Sequence, residues 1–98
     1  MYGYINAIEV RPGHRDEVVA ILLDGLDGLR EVGCLQYTVA VDHADEVTIR
    51  VTEAWESEQA HRASLELPEA EAAIARAMPL LTGRFESTAT EVRGGFGL

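Results

Sequence analysis

The chain has 98 residues, of which 47% are hydrophobic and 26% charged, a composition typical of one folded domain. Its 17 acidic and 8 basic residues give a net charge of −9, which disfavours binding to the phosphates of nucleic acids. A single cysteine, Cys34, cannot form a disulfide within the chain, and no apolar run approaches the roughly 20 residues of a membrane helix. The N-terminus lacks the pattern of a signal peptide. We therefore expect a cytoplasmic protein of one domain, residues 1–98, without a membrane partner.

The first half of the chain predicts a strand, a helix and a second strand. Residues 2–10 alternate between two faces, as in a strand; one face carries Tyr2, Tyr4, Asn6, Ile8 and Val10. A Pro-Gly turn follows. Residues 14–31 carry an apolar stripe at helical spacing and predict one helix, weakened by two internal glycines and ended by Gly33. Residues 34–41 alternate again and predict the second strand.

The second half predicts a hairpin, two helical pieces and a last strand. A short polar connection, residues 42–46, joins the second strand to a third over residues 47–55. Ser57 is a suitable N-cap for a helix over residues 58–66. A second helical piece is predicted over 69–81, and the last strand over 84–93. The role of the glycine-rich tail that follows is left open.

The order β-α-β-β-α-β predicts a ferredoxin-like α+β fold, in which helices cover one face of a four-stranded antiparallel sheet. Three of the strands carry apolar residues on both sides, so the second face also needs a cover. We expect a homodimer in which two sheets pack face to face as a dimeric α/β barrel.

The chain resembles the antibiotic biosynthesis monooxygenase family, which includes quinol monooxygenases. The resemblance covers nearly the whole length and is carried by "VRPGHRDE", "GCLQYTV" and "TEAWESEQAH", with weaker agreement at "LTGRFE". It implies a homodimer with a pocket between sheet and helices in each protomer. It also implies oxygenation of a quinol or polyketide-like aromatic by O2, with neither metal nor organic cofactor.

Oxygenation without a cofactor requires a substrate that can itself donate an electron to O2, such as a deprotonated hydroquinone or anthrone. The protein then supplies an apolar pocket, a proton acceptor and donors that stabilise the oxyanion. His61, on the helix that follows the third strand, is the candidate base; the alternative is a histidine at the helix surface or capping a loop. Asn6 is the candidate catalytic donor; alternatively, it bonds only to neighbouring backbone.

Trp55 and Glu53 are candidates for binding the substrate. The indole of Trp55 offers a flat wall for an aromatic ring, although the same residue can serve as plain core. Glu53 shares the face of Trp55, so a buried carboxylate there needs a partner or a raised pKa. A structural ion pair with an arginine, Arg84 or Arg93 for example, is favoured over a role as general base.

Tyr4 and Tyr37 are further candidates for hydrogen bonds to a ligand, while core or interface packing is the alternative for each. The "DHAD" turn suggests a metal site, but polar residues are expected in a hairpin turn and no other ligand group is apparent, so no metal is predicted. A related branch of the family degrades haem with a tryptophan and a histidine where this chain has Ser64 and Ile74, so that activity is not expected.

Three functions therefore remain open from the sequence. The first is a cofactor-independent monooxygenase, and the second is a cofactor-free isomerase, cyclase or decarboxylase of the same fold. The third is a non-enzymatic dimer that binds a small aromatic ligand. Consumption of O2 separates the first from the second, and turnover separates both from the third.

Overall fold

The computed structural model describes residues 1–98 as a four-stranded antiparallel sheet with helices on one face. The strands are β1 (Tyr2–Val10), β2 (Cys34–Val41), β3 (Thr48–Trp55) and β4 (Leu81–Glu91), in the order β2-β3-β1-β4. The helices are α1 (Arg15–Leu23), α2 (Glu58–Ser64) and α3 (Pro68–Ala77), with 3-10 segments at Leu26–Val32 and Met78–Leu80. The predicted ferredoxin-like order is confirmed. The sheet of the single chain is open, so a closed dimeric barrel stays a prediction.

The helix predicted over residues 14–31 is wrong as a single element. Helix α1 ends at Leu23, Asp24 has an extended conformation with ψ 135°, and Gly25 takes the left-handed conformation with φ 77°. A 3-10 segment follows and ends at Gly33, again left-handed with φ 98°. Because glycine enters this region without the steric penalty of a Cβ, the glycine read as a weak point in the helix instead ends it.

The last strand begins at Leu81, three positions before its predicted start. Gly83, which was expected to precede the strand, lies inside it with φ 91°, where the pairing with β1 shifts register between Ile8 and Val10. A glycine of positive φ inside a strand is a common sign of a β-bulge. The predicted break is therefore an irregularity within β4.

The core lies between the sheet and the helices and centres on Val10, Val18, Ile49 and Val51, each at most 2% exposed. These residues come from β1, α1 and β3, so the first helix is fixed to the two central strands. No helix in the structure combines the length and the apolar character required to cross a membrane.

The sheet face away from the helices is rich in threonine. The register places Ile5 in one row with Thr38, Thr52 and Thr88 across all four strands, and Ile5 is 48% exposed. At one end of this face the C-terminal tail reaches β2, where Gln36 donates a hydrogen bond to the carbonyl of Gly97 at 3.3 Å. The tail thus stays beside its own sheet, and a partner sheet on this face remains a prediction.

The polar connection between β2 and β3 is held by its two aspartates. Asp45 accepts hydrogen bonds from the backbone of Val47 and from the backbone and hydroxyl of Thr48, at 2.7–2.9 Å. Asp42 accepts from the backbone of Ala44 and from the guanidinium of Arg50. The hydrogen bonds hold the pKa of both carboxyl groups below the usual value.

Asp45→Asn is expected to lower the free energy of unfolding at about pH 7, because an amide lacks the second carboxylate oxygen and the charge. Since the folded-state pKa of Asp45 is lowered, its contribution is present above the unfolded pKa and is lost as the pH falls through the folded pKa. Urea midpoints measured from neutral to acid pH should therefore converge for wild type and variant. Glu46→Gln, in the same connection, is the matched control, and a constant gap at all pH values would contradict the prediction.

Candidate functional site

Glu53 is the centre of a buried hydrogen-bond network on the helix-covered face of the sheet. Its residue is 9% exposed, and Asn6 Nδ2 donates to its Oε2 at 2.9 Å. The indole Nε1 of Trp55 donates to Oε1, also at 2.9 Å. The pairing of β1 with β3 runs without a register shift, so the alternation that placed Asn6, Glu53 and Trp55 on one face is confirmed.

Glu53 does not pair with an arginine, although the sequence predicted such a pair; its hydrogen-bond partners are Asn6 and Trp55. Arg84 instead lies at the surface, 3.7 Å from a carboxylate oxygen of Glu9. The two donors on Glu53 are an amide and an indole, both neutral, and they satisfy one lone pair on each oxygen. The carboxylate is thus held in place by two neutral donors with no arginine bonded to it, and lone pairs remain on both oxygens.

His61 is buried rather than exposed on its helix, so the surface interpretation is wrong. Its residue is 7% exposed, and its ring centroid lies 4.6 Å from that of Tyr4 and 5.5 Å from those of Tyr2 and Trp55. The Nε2 atom of His61 lies 3.7 Å from Oε1 of Glu53. The imidazole is therefore next to the carboxylate of Glu53 and is surrounded by the rings of Tyr2, Tyr4 and Trp55.

The turn from β3 into α2 explains how His61 reaches this place. Ser57 has an extended backbone and its hydroxyl accepts a hydrogen bond from the backbone N–H of Ala60 at 3.0 Å, as predicted for the N-cap. The helix begins directly after it, so His61 falls one turn into the helix and faces the sheet. One turn later the buried Ser64 donates its hydroxyl hydrogen bond to the carbonyl of His61 at 2.6 Å.

A cavity of about 490 Å³ lies between the sheet and the helices. Its floor is formed by Tyr37, Glu53 and Trp55 from the sheet, and Ser64 adds a hydroxyl at its side. Its rim is mainly aliphatic and comes from α1, the 3-10 segment, the connection after α2, and α3; it includes Leu22, Leu26, Leu29, Leu65, Leu67, Ala70, Ala73 and Ile74. Asp24 and Glu69 also line the cavity. Its size and its mainly apolar lining with a few polar side chains are typical of a small-molecule site.

Three of the predicted site residues line this cavity: Tyr37, Glu53 and Trp55. Asn6 contacts it only through Glu53, and His61 and Tyr4 lie on the other side of the carboxylate. Sequence reasoning did not single out Ser64 as a wall residue. The sequence gives only a weak indication that Ser64 lines a cavity, because a serine in a short helix is usually exposed.

Burial raises the pKa of Tyr37 to about 12, and the nearby carboxylate of Glu53 adds to the shift. Its phenol is therefore protonated at neutral pH and able to donate a hydrogen bond into the cavity. Burial also raises the pKa of the Cys34 thiol, which disfavours the reactive thiolate. Across the whole chain, no group of three or more His, Cys, Asp or Glu side chains is arranged to hold a metal ion.

The fold and the cavity define a ferredoxin-like α+β domain with an aromatic floor, a buried carboxylate and an aliphatic rim. Residues 1–76 match the model of the antibiotic biosynthesis monooxygenase family. A structure from Chloroflexus aurantiacus J-10-fl, provisionally called an antibiotic biosynthesis monooxygenase, is 39% identical over 98% of each chain, with a TM-score of 0.81. The chain belongs to the antibiotic biosynthesis monooxygenase family.

Two more distant structures share the fold. A protein from Deinococcus radiodurans, provisionally given the same family name, is 24% identical over 100% of this chain and 98% of its own, with a TM-score of 0.81. A variant of SnoaB, a cofactor-independent oxygenase from Streptomyces nogalater, is 14% identical over 97% of this chain and 95% of its own, with a TM-score of 0.78. No curated protein sequence matches the chain at a significant level.

Proposed function

We propose that this protein is a monooxygenase that uses O2 to oxidise a quinol or polyketide-like aromatic without a metal or organic cofactor. The observation that carries the proposal is Glu53, a buried carboxylate with neutral donors that opens onto an aromatic-floored cavity. Membership of the family and the shared fold with a cofactor-independent oxygenase support it.

The reaction begins with proton transfer from a substrate hydroxyl or acidic C–H group to Glu53. The resulting anion is electron-rich enough to transfer one electron to O2, after which the two radicals combine at a ring carbon. The peroxide anion takes the proton back from Glu53. Loss of the remaining proton on that carbon, with cleavage of the O–O bond, leaves one oxygen atom as a carbonyl and releases the other as water. The substrate supplies all four electrons that reduce O2, so the balance requires no further reductant.

The predicted site residues have distinct roles in this scheme. Glu53 accepts the first proton because it lines the cavity, and His61, at 3.7 Å, is the second member of the acid–base pair. Asn6 orients the carboxylate, and Tyr4 packs on the imidazole. Trp55 supports the substrate ring, while the phenol of Tyr37 donates to the developing oxyanion.

The proposal includes a homodimer. Both outer strands, β2 and β4, have unpaired edges in the single chain, and Ile5, on the sheet face away from the helices, is 48% exposed. A second copy that covers these features supplies the closed barrel predicted from the sequence. Sedimentation equilibrium of the purified protein tests this part, and a monomer at all concentrations would contradict it.

The central test follows O2 uptake by metal-free and flavin-free protein with a panel of hydroquinones and anthrones. Uptake that depends on folded protein and falls strongly in His61→Ala and in Glu53→Gln supports the monooxygenase and its acid–base pair. Uptake lost in Glu53→Gln but kept in His61→Ala assigns the proton transfer to Glu53 alone.

The same assay separates the two alternatives. Conversion of substrate without O2 uptake indicates an isomerase, cyclase or decarboxylase, since a carboxylate in a cavity can also take and return a proton. A change in the fluorescence of Trp55, the only tryptophan, without any turnover indicates a binding protein.

Tyr37→Phe is expected to lower kcat about 10-fold to 100-fold while the fold is retained, because only one hydrogen-bond donor to the oxyanion is removed. Because the pKa of Tyr37 is about 12, the phenol itself should cause no loss of wild-type activity up to about pH 10. Steady-state kinetics against pH check both points. Tyr2→Phe is the matched control, since Tyr2 does not line the cavity, and equal effects of the two variants would contradict the role of Tyr37.

A further inference from the structure

The network on Glu53 continues past Asn6 to the edge strand. The hydroxyl of Ser87, on β4, donates a hydrogen bond to Asn6 Oδ1 at 2.7 Å, while Asn6 Nδ2 donates to Glu53 Oε2 at 2.9 Å. Asn6 and Ser87 are direct partners in the pairing of β1 with β4. One amide therefore lies between a carboxylate and a hydroxyl, across three neighbouring strands.

When Glu53 is ionised, its carboxylate determines which way this amide points. A carboxylate can only accept hydrogen bonds, so Asn6 must present its NH2 group to Glu53 and its carbonyl to Ser87. Ser87 must then be the donor. The hydroxyl of Ser87 can donate this hydrogen bond without adding a charge.

Protonation of Glu53 on Oε2 reverses the direction of the hydrogen bond between Glu53 and Asn6. An acid proton on Oε2, on the side of Asn6, leaves Oε1 free to accept from the indole of Trp55, which can only donate. The acid now donates, and Asn6 meets it by turning its amide half a turn, which directs the NH2 group to Ser87. A serine hydroxyl can switch from donor to acceptor, which a backbone N–H or an indole cannot do.

We infer that Ser87 is a positioning residue that stabilises both protonation states of Glu53 through Asn6. The inference rests on the proposed function, because it assigns Glu53 a proton that it gains and loses in each turnover. The substrate proton moves only to Glu53. Asn6 and Ser87 exchange no proton with it, and only the direction of their hydrogen bonds changes.

The composition of the chain makes this amide directly observable. Asn6 is the only asparagine and Trp55 the only tryptophan, so selective 15N labelling gives one side-chain amide group and one indole N–H. Ser87→Ala removes the hydroxyl, and Ser87→Thr keeps it. Thr88→Ala, the next residue on β4, faces away from Asn6 and is the matched control.

Ser87→Ala is expected to lower kcat about 10-fold with KM within about twofold of wild type, because the lost hydrogen bond acts on the carboxylate only through Asn6 and touches no substrate. The Asn6 amide resonances should shift and lose protection from exchange, while the Trp55 indole signal stays in place and confirms the fold. Ser87→Thr should keep kcat and the Asn6 amide resonances close to those of wild type, and Thr88→Ala should change neither.

Glu53→Gln gives a permanent stand-in for the protonated acid. In this variant the Asn6 amide signals should move to a position different from wild type, and adding Ser87→Ala should move them again. Asn6 resonances unchanged in Ser87→Ala, together with unchanged kcat, would overturn the inference. If wild-type protein consumes no O2 with any substrate, the proposed function fails, and the Asn6 resonances alone then decide the role of Ser87.

Discussion

Glu53→Gln is expected to lower kcat by about 10²- to 10⁴-fold, the range found when a general acid or base is removed. The amide is nearly the size of the carboxylate, so the cavity keeps its shape, but it cannot accept the proton of the substrate. Substrate binding should change little, because the floor residues Tyr37 and Trp55 remain. Single-turnover kinetics, together with a Kd from Trp55 fluorescence, separate the two effects.

The stability of this variant is a necessary control. The carboxylate accepts from Asn6 and from Trp55, and an amide with one NH2 group conflicts with one of these donors unless Asn6 turns. We expect a loss of about 1–3 kcal/mol if the amide of Asn6 stays in place, and less if it turns. A folded variant with wild-type kcat would remove Glu53 from the reaction.

Trp55→Ala is expected to lower the free energy of unfolding by about 3–5 kcal/mol, as for other large aromatic residues replaced in a core. Trp55 is 2% exposed and packs against the imidazole of His61. Its loss also leaves Oε1 of Glu53 without its donor. Since a domain of this size has about 5–15 kcal/mol of stability in total, a substantial unfolded fraction is expected on mild warming.

Trp55→Phe separates packing from hydrogen bonding. It keeps most of the aromatic surface and loses the indole N–H, so the expected loss is about 1–3 kcal/mol. Urea unfolding followed by far-ultraviolet circular dichroism measures all three proteins, because the fluorescence signal is absent in both variants. Equal losses in Trp55→Ala and Trp55→Phe would show that the hydrogen bond to Glu53, rather than ring packing, dominates.

The strands and their faces could be predicted well from the sequence. A strand has a period of two residues, so the apolar alternation in β1 and β3 determined that Asn6, Glu53 and Trp55 share a face. The N-cap at Ser57 was recognisable because its hydroxyl acts locally, within one turn of the helix. These features depend on residues that are close together in the sequence, so they can be predicted without knowing the tertiary structure.

The partners of Glu53 and the end of α1 depend on information that the sequence alone carries weakly. Ser87 enters the network only because β4 pairs with β1 in one particular register, between residues more than 80 positions apart. The end of α1 depends on Gly25 taking a positive φ, whereas a glycine inside a helix is also tolerated at a cost of about 1 kcal/mol. Both the contact of Ser87 with the network and the end of α1 are therefore determined by tertiary structure rather than by local sequence.

The division of the cavity between its floor and its rim has a consequence for how such proteins diverge. The sheet supplies Tyr37, Glu53 and Trp55 at the floor, and the helices and the 3-10 segment supply most of the aliphatic surface that a guest molecule must match. Substitutions at Leu26, Leu65 or Ile74 can therefore change which guest is accepted and leave the hydrogen bonds of Glu53 intact. A change of guest therefore requires substitutions only on the helical surface, and the sheet residues at the floor can stay the same.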